Sequence, residues 1–92
     1  MKTLSESDIS IALKTLNNWS FIDNALEKKF LFKDFKQALG FIVQIGTLAE
    51  KANHHPELFN VYNKVTIRLN THDANSVTQK DFDLAKAIDE IA

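Results

Sequence analysis

The chain has 92 residues, of which 45% are hydrophobic, and a formal net charge of −1. A chain of this size builds one core, so we expect residues 1–92 to form a single domain. The lack of cysteine excludes disulfides, thiolate nucleophiles and Cys-based metal sites. The balanced charge argues against direct binding to nucleic acid or to an anionic membrane. No segment has the apolar length of a signal peptide or a membrane span, so we predict a cytoplasmic protein.

The first elements along the chain are a helix and a β-hairpin. A capping-box pattern precedes apolar residues at helical spacing, which predicts a helix over roughly residues 5–16. Two β-prone runs follow, Trp19–Ile22 and Leu26–Phe32. They flank Asp23-Asn24, so we predict a hairpin there although the usual glycine is absent.

A second helix is predicted to begin after Asp34 and to extend to about residue 53. Pro56 cannot lie inside this helix, and it disfavours helical backbone at His55. The helix should therefore end at the histidines. The residues that form its predicted apolar stripe are Phe35, Ala38, Leu39, Ile42, Ile45 and Ala49.

The last part of the chain predicts two strands and a third helix. The strand candidates are Leu58–Tyr62 and Lys64–Thr71, and the second alternates apolar and polar residues as a half-buried antiparallel strand does. Thr78 and Asp81 form another capping-box pattern at the start of the third helix. The order α-β-β-α-β-β-α predicts an α+β two-layer domain, in which helices pack on one face of a four-stranded antiparallel sheet.

The candidate site lies around the stretch EKANHHPELFNVY. Glu50 and His54 are four residues apart near the end of the second helix, so they share a face. His55 follows directly, and His72 comes just after the fourth strand candidate. Side chains at the ends of helices and strands can converge on a pocket without disturbing the core. These four residues are therefore the candidate active-site cluster.

A metal site is an alternative interpretation of the same cluster. Histidines together with Glu50 or Asp73 offer the ligand atoms that zinc or non-haem iron takes. Against this, His54 and His55 diverge by about 100° if they are helical, unlike the paired histidines of an HExxH helix. We therefore expect neither metal nor cofactor. The aromatic residues expected to pack in the core or hairpins, unless they lie beside the cluster, are Trp19, Phe59 and Tyr62.

The histidines belong to a longer spacing pattern, Glu50-x3-His54-His55-Pro56-x5-Tyr62-x9-His72-x8-Asp81. It resembles the signature of the pterin-4a-carbinolamine dehydratase family, whose animal members are also called the dimerization cofactor of a homeodomain transcription factor. The segments FKDFKQALGF, HHPELFNVYNKVTIRLNTHD and TQKDFDLAKAI extend the resemblance over nearly the whole chain.

The resemblance implies dehydration of a 4a-hydroxytetrahydropterin to the quinonoid dihydropterin, which recycles the cofactor of aromatic amino acid hydroxylases. By similarity, His54 and His72 would transfer protons, His55 would hold the substrate and Glu50 would orient the site. Imidazole titrates near pH 6.5, so it can act as acid or base in cells without a metal. The further substrate-binding residues implied by the resemblance are Pro56, Thr71, Asp73 and Trp19.

The resemblance also implies an oligomer, because relatives are dimers and often tetramers that associate through sheet edges and the second helix. In this chain Phe41, Val43 and Leu48 fall outside the predicted stripe and give that helix a second apolar face. We therefore predict a homodimer or homotetramer. The alternative function is a non-catalytic, oligomeric binding module that acts as a partner of a regulator. Retention of the whole histidine cluster favours the enzyme.

Overall fold

The computed structural model describes residues 2–92 and has the predicted element order. The α+β two-layer fold is thereby confirmed. No helix in residues 2–92 is both long enough and apolar enough to cross a membrane. The elements are α1 (Glu6–Leu13), β1 (Ser20–Ile22), β2 (Ala25–Leu31), α2 (Phe35–Ala52), β3 (Glu57–Val61), β4 (Lys64–Leu69) and α3 (Gln79–Ile91).

The sheet is antiparallel, with the strand order β1-β2-β4-β3. β4 is central, and its residues Val65, Ile67 and Leu69 are completely buried against the helices. Thr66 and Arg68 alternate with them and lie on the opposite face. The alternation predicted for this strand is therefore confirmed, although β4 ends at Leu69 rather than at Thr71.

The face of the sheet away from the helices is open and carries an ion-pair row across three strands. Arg68 on β4 donates to Glu27 of β2 at 2.9 Å and lies 3.5 Å from Glu57 of β3. The hydrogen bond to Glu27, together with both carboxylate charges, raises the pKa of Arg68 above its ordinary value. Further along this face Phe59 is 56% exposed, so of the two predicted places, core or hairpin, it takes the hairpin of β3 and β4.

The buried face of α2 differs from the predicted stripe. Phe35 and Leu39 were expected to face the core but are 48% and 43% exposed, whereas Phe41 is buried. Phe41 packs against the sheet, since its ring centroid lies 4.9 Å from those of Phe30 and Phe32, while α3 packs along one side of α2. The buried residues of α2 are Ala38, Phe41, Ile45 and Ala49.

α1 is shorter than the predicted helix over residues 5–16. It ends at Leu13, and the next residues form tight turns in which Thr15 N–H donates to Ala12 and Leu16 N–H donates to Leu13. These bonds reach back three residues and satisfy carbonyls at the helix end. Leu16 is nevertheless buried in the core, so its apolar position was predicted correctly.

The first hairpin forms without glycine, as predicted. Asp23 and Asn24 have positive φ values of 50° and 63°, and Ile22 pairs with Ala25. Two central residues with positive φ define a type I′ turn, whose twist matches that of the flanking strands. Asn and Asp tolerate this left-handed backbone better than other residues with a Cβ atom.

Candidate active site

The C-terminal end of α2 places the two adjacent histidines. Asn53 adopts the left-handed conformation (φ 49°, ψ 44°) and ends the helix after Ala52. Its N–H donates to the Glu50 carbonyl at 3.2 Å, and the His54 N–H donates to the Ala49 carbonyl at 3.1 Å. These are the two hydrogen bonds of a Schellman motif. The chain reverses there, so the helix ends directly before the histidines, as predicted.

His54 turns inward and contacts a carboxylate. Its side chain is 10% exposed, and Nε2 lies 2.5 Å from Oδ1 of the fully buried Asp81. Because an ionised carboxylate only accepts hydrogen bonds, Nε2 of His54 is the donor. In the neutral ring Nδ1 then carries the lone pair. Nothing in residues 2–92 bonds Nδ1, and none of their buried side-chain nitrogens lacks a partner, so Nδ1 is accessible from outside.

Asp81 is held by two further donors. Its Oδ2 accepts from the Thr71 hydroxyl at 2.8 Å and from the Thr78 N–H at 2.9 Å. The hydroxyls of Thr71 and Thr78 are 2.8 Å apart, so Thr78 donates to Thr71 when Thr71 donates to Asp81. The capping-box role predicted for Asp81 is confirmed. The same carboxylate also orients His54, which fixes the tautomer of that ring.

His55 turns outward, and its ring is 60% exposed. Its Nε2 lies 2.5 Å from Oε2 of Glu50, whose side chain is 78% exposed. Glu50 was expected to act with His54 because both lie on one face of the helix. The left-handed residue Asn53 breaks that periodicity, so Glu50 contacts His55 instead.

His72 is exposed at the start of a short turn that follows β4. The Thr71 N–H donates to the Ser76 carbonyl at 2.9 Å, which closes the turn with an isolated β-bridge. Within it, Asn75 adopts the left-handed conformation with φ 54°. Because the Thr71 hydroxyl also binds Asp81, the turn that carries His72 is tied to the carboxylate that orients His54.

The three histidines border one cavity of about 320 Å³. It lies where the C-terminal ends of α2 and β4 meet the N-terminal end of α3, so the predicted convergence of element ends occurs. Glu50 reaches this region through His55. The residues that line the cavity are Asn53, His54, His55, Asn70, Thr71, His72, Asp73 and Lys80.

Trp19, Pro56 and Tyr62 do not line this cavity. The Trp19 ring is buried beside Phe30, and its Nε1 donates to Asp89 at 3.0 Å. Trp19 therefore packs in the core, one of the two roles expected for it, and does not lie where it could bind substrate in this cavity. Pro56 shapes the chain after the histidines, while Tyr62 is 62% exposed in the turn between β3 and β4.

Sequence reasoning missed three contributions to the site, which come from Asn70, Lys80 and Asp81. Lys80 lines the cavity because it lies in the first turn of α3, close to Asp81 in the chain. Asp81 ends the spacing pattern that carries the family resemblance, but the only role predicted for it was that of a helix cap. The signal that could have found them is the proximity of the α3 start to the end of β4, which the short segment between His72 and Thr78 requires.

The carboxylates and histidines do not converge on a shared point. His54 and His55 direct Nε2 toward two different carboxylates, Asp81 and Glu50. Within the described part of the chain, no three His, Asp or Glu side chains are grouped so that they could hold a metal ion. The arrangement instead presents imidazole rings singly to one polar cavity, which suits proton transfer.

Comparison with known proteins decides the family. The sequence model for the family described as pterin 4 alpha carbinolamine dehydratase matches residues 2–91. The chain belongs to this family. The resemblance inferred from the histidine pattern is thereby confirmed.

Relatives among the pterin 4 alpha carbinolamine dehydratases match along nearly their whole length. A protein of Sulfurisphaera tokodaii is 45% identical, covering 99% of this chain and 98% of its own. One of Solibacter usitatus is 47% identical, covering 97% and 94%. Both are provisionally named pterin-4-alpha-carbinolamine dehydratases. A crystal structure described as a transcriptional coactivator/pterin dehydratase from Brucella melitensis is 43% identical, with a TM-score of 0.95 over 99% of each chain.

Proposed function

We propose that this chain catalyses the dehydration of a 4a-hydroxytetrahydropterin. The C4a–O and N5–H bonds of the substrate break and a C4a=N5 double bond forms. The products are water and the quinonoid dihydropterin. The departing hydroxyl group must gain a proton and N5 must lose one, so the reaction calls for an acid and a base. Membership of the family and 45% identity over 91 residues to one of its relatives support this reaction.

The observation that carries the assignment is the free Nδ1 of His54 beside a cavity that His72 also lines. Because Nε2 holds its proton toward Asp81, Nδ1 of the neutral ring is the atom that can accept the N5 proton. His72 is exposed, so its ring can be protonated from water and deliver that proton to the 4a-hydroxyl group. We therefore assign His54 as the base and His72 as the acid.

The remaining predicted residues fit substrate binding better than proton transfer. His55, paired with Glu50 at the rim, can contact the pterin ring without controlling its chemistry. Asp73 and Asn70 offer oxygens to the N–H groups of the ring. Thr71 acts through Asp81, which makes it a positioning residue.

The purified protein provides the direct test. Decay of a 4a-hydroxy-6-methyltetrahydropterin should be faster than its spontaneous dehydration and should scale with protein concentration. A His54→Ala variant of unchanged fold is the control. Decay at the spontaneous rate with micromolar wild-type protein would overturn the proposal and favour the non-catalytic binding module, a role consistent with the coactivator description of the Brucella melitensis neighbour.

We further propose that copies of this chain associate through α2. Phe35, Leu39 and Val43 recur every four residues, so they share a face, and they are 48%, 43% and 70% exposed. Gly46 continues this face, and a Cβ atom there would meet nothing within 4 Å in the described chain. A glycine inside a helix costs roughly 0.5–1 kcal/mol relative to alanine. A bare backbone beside exposed apolar side chains lets a second helix approach closely, which supports a homo-oligomer.

Two glycine variants test this interface. Gly40 also has free space at its Cβ position, but it lies among polar residues on another face of α2. Light scattering should give the mass of a dimer or tetramer of the 10.5 kDa chain, both for the wild type and for Gly40→Leu. Gly46→Leu should shift the mass toward that of one chain. A wild type of 10.5 kDa at micromolar concentration would contradict the oligomer, and an unchanged Gly46→Leu mass would contradict this interface.

The sequence also predicted a cytoplasmic location, and this stays a prediction. Fractionation of cells that produce the protein, followed by detection in the cytoplasmic and membrane fractions, would test it.

A further inference from the structure

A second cavity, of about 400 Å³, lies between α2 and α3. Its walls include the apolar side chains of Leu48 and Ala52 on α2 and of Leu84 and Ala87 on α3. Charged groups from Lys51 and Asp83 also border it, and Asp83 accepts from Gln79 at 2.9 Å. We call this cavity the α2/α3 groove.

The α2/α3 groove adjoins the polar histidine cavity. His54 and Lys80 line both cavities, so they form the boundary between them. The polar cavity, of about 320 Å³, is at the small end of the range of small-molecule sites, roughly 300–1,000 Å³. It is suited to a bicyclic ring with many hydrogen-bonding edges, whereas an extended apolar substituent would find no apolar wall there.

The chemistry of pterins decides which atoms of the substrate meet this boundary. In the proposed reaction His54 accepts the proton of N5, so N5 must lie within hydrogen-bonding distance of that ring. N5 is bonded directly to C6, and C6 is the position from which pterins carry their substituents. Any C6 substituent therefore starts beside His54, the residue at which the two cavities meet.

We propose that the α2/α3 groove holds the C6 substituent of the substrate and selects pterins whose substituent is extended and apolar. This inference rests on the proposed dehydratase function. The polar cavity binds the bicyclic ring, while Leu84 and Ala87 contact the alkyl or aryl part of the substituent. Lys51, Lys80 and Asp83 stay at the rim, where their charged ends remain in water.

A second copy of the chain is a competing occupant of this groove. The exposed face of α2 that carries Phe35, Leu39 and Val43 lies on the flank away from α3, because Leu48 and Ala52 face the other side of the helix. Association through that face leaves the groove open. The groove also shares His54 and Lys80 with the histidine site, so a small ligand bound at that site can extend into it.

Binding of two stable 7,8-dihydropterins would test the proposal. One carries a methyl group at C6 and the other an n-hexyl group, and their dissociation constants are measured by calorimetry on the wild-type protein. Each buried CH₂ contributes up to about 0.8 kcal/mol, so partial burial of the longer chain should tighten binding at least about tenfold. Chemical shifts of Leu84 and Ala87 should respond to the hexyl compound and much less to the methyl compound.

Matched variants on α3 locate the effect. Ala87→Gln places an amide in the groove, and Lys86→Gln places the same amide on the adjacent residue, which does not line it. The ratio of the two dissociation constants should fall to about one in Ala87→Gln and stay at its wild-type value in Lys86→Gln. Unfolding temperatures of both variants establish that they remain folded.

The outcomes separate this inference from the function on which it rests. Equal affinities of the wild type for both compounds would overturn the assignment of the groove to the C6 substituent. The proposed pterin site at the histidines would be unaffected. A preference for hexyl that survives Ala87→Gln would also overturn it, since the substituent would then bind elsewhere. If neither compound binds, the pterin site itself fails and this inference fails with it.

Discussion

Two adjacent histidines make the same contact in different surroundings. His54 and His55 each direct Nε2 to a carboxylate oxygen at 2.5 Å. The His54 side chain is 10% exposed and its partner Asp81 is fully buried, whereas the His55 and Glu50 side chains are 60% and 78% exposed. Equal distances thus describe one pair enclosed by protein and one pair surrounded by water.

The difference lies in what each pair can control. An exposed ion pair is screened by water and contributes roughly 0.2–1 kcal/mol, with its side chains free to separate. A buried carboxylate has no water to replace a lost partner, so its hydrogen bonds hold their geometry. Asp81 therefore dictates which nitrogen of His54 carries the proton, while Glu50 leaves His55 free to reorient. Four sets of variants test this contrast in order of expected effect.

Removing each imidazole in turn should give the largest difference. His54→Ala should lower kcat by roughly 10²–10⁴-fold, because a general base contributes a factor of that size. His72→Ala should have a similar effect as the loss of the acid. His55→Ala should raise KM and change kcat less than about tenfold, since it loses mainly substrate binding.

Steady-state kinetics on the folded variants checks this prediction. Circular dichroism provides the control that the fold is intact. Unchanged turnover in both His54→Ala and His72→Ala would end the assignment of the proton-transfer pair. A kcat loss in His55→Ala equal to that in His54→Ala would remove the contrast between the buried and exposed rings.

Replacing each carboxylate by its amide should come second. Asp81→Asn keeps the shape, but one of its two acceptor oxygens becomes a donor that faces Thr71, the Thr78 N–H or His54. We expect a cost of about 1–3 kcal/mol in unfolding free energy and roughly 10–100-fold in kcat. Glu50→Gln is the matched exposed change and should alter stability by less than about 0.5 kcal/mol.

Nitrogen chemical shifts of the His54 ring distinguish orientation from simple destabilisation. The wild type should show the neutral tautomer with its proton on Nε2, and Asp81→Asn should show a mixture with Nδ1–H. A single Nε2–H tautomer in Asp81→Asn, with full activity, would mean that the carboxylate serves only as a helix cap.

The fold could be predicted because local patterns determined each element. The alternation in Lys64–Thr71 follows from one buried face, and Asp34 caps α2 with its side chain accepting from the Gln37 N–H at 2.8 Å. Predictions failed where a tertiary contact decided the outcome. The stripe predicted for α2 is an example, because Phe41 is buried against the rings of Phe30 and Phe32 while Leu39 stays exposed.

The histidine cluster could be predicted because it lies at element ends, but its pairing could not. Helical spacing placed Glu50 with His54, and the left-handed backbone at Asn53 reassigned Glu50 to His55. The partner of His54 is Asp81, 27 residues away. Sequence spacing shows that Asp81 caps a helix but not that its second oxygen faces a histidine, because that requires the packing of α2 against α3.

The Thr71 hydroxyl should give a smaller effect than either carboxylate. Thr71→Val keeps the branched shape and removes one donor to Asp81, so we expect a loss of about 1 kcal/mol in unfolding free energy and a kcat reduced by less than about tenfold. Thr66→Val on the open face of β4 is the matched control and should stay within about 0.5 kcal/mol of the wild type. Equal stability of the two variants in urea unfolding would contradict a structural role for this hydroxyl.

The smallest effect should come from a glycine substitution at Asn53, the residue that sends the two histidines in opposite directions. Asn53 has φ 49°, a conformation that glycine adopts freely and that costs other residues with a Cβ atom roughly 1–2 kcal/mol. Asn53→Gly should therefore change the unfolding free energy by only a few tenths of a kcal/mol, roughly the size of glycine's entropy cost. Asn53→Ala should cost about 1 kcal/mol of unfolding free energy, because alanine disfavours the left-handed backbone and favours continuing the helix past Ala52.

These two variants also test why the two histidine rings point in opposite directions. Continuation of α2 through residue 53 would rotate His54 away from Asp81 and return it to the face it shares with Glu50. The population of the Nε2–H tautomer of His54 should thus be retained in Asn53→Gly and reduced in Asn53→Ala, as measured by ring nitrogen shifts. If Asn53→Ala kept both the wild-type stability and the wild-type tautomer, packing of His54 against α3 rather than the left-handed cap would be what turns the ring inward.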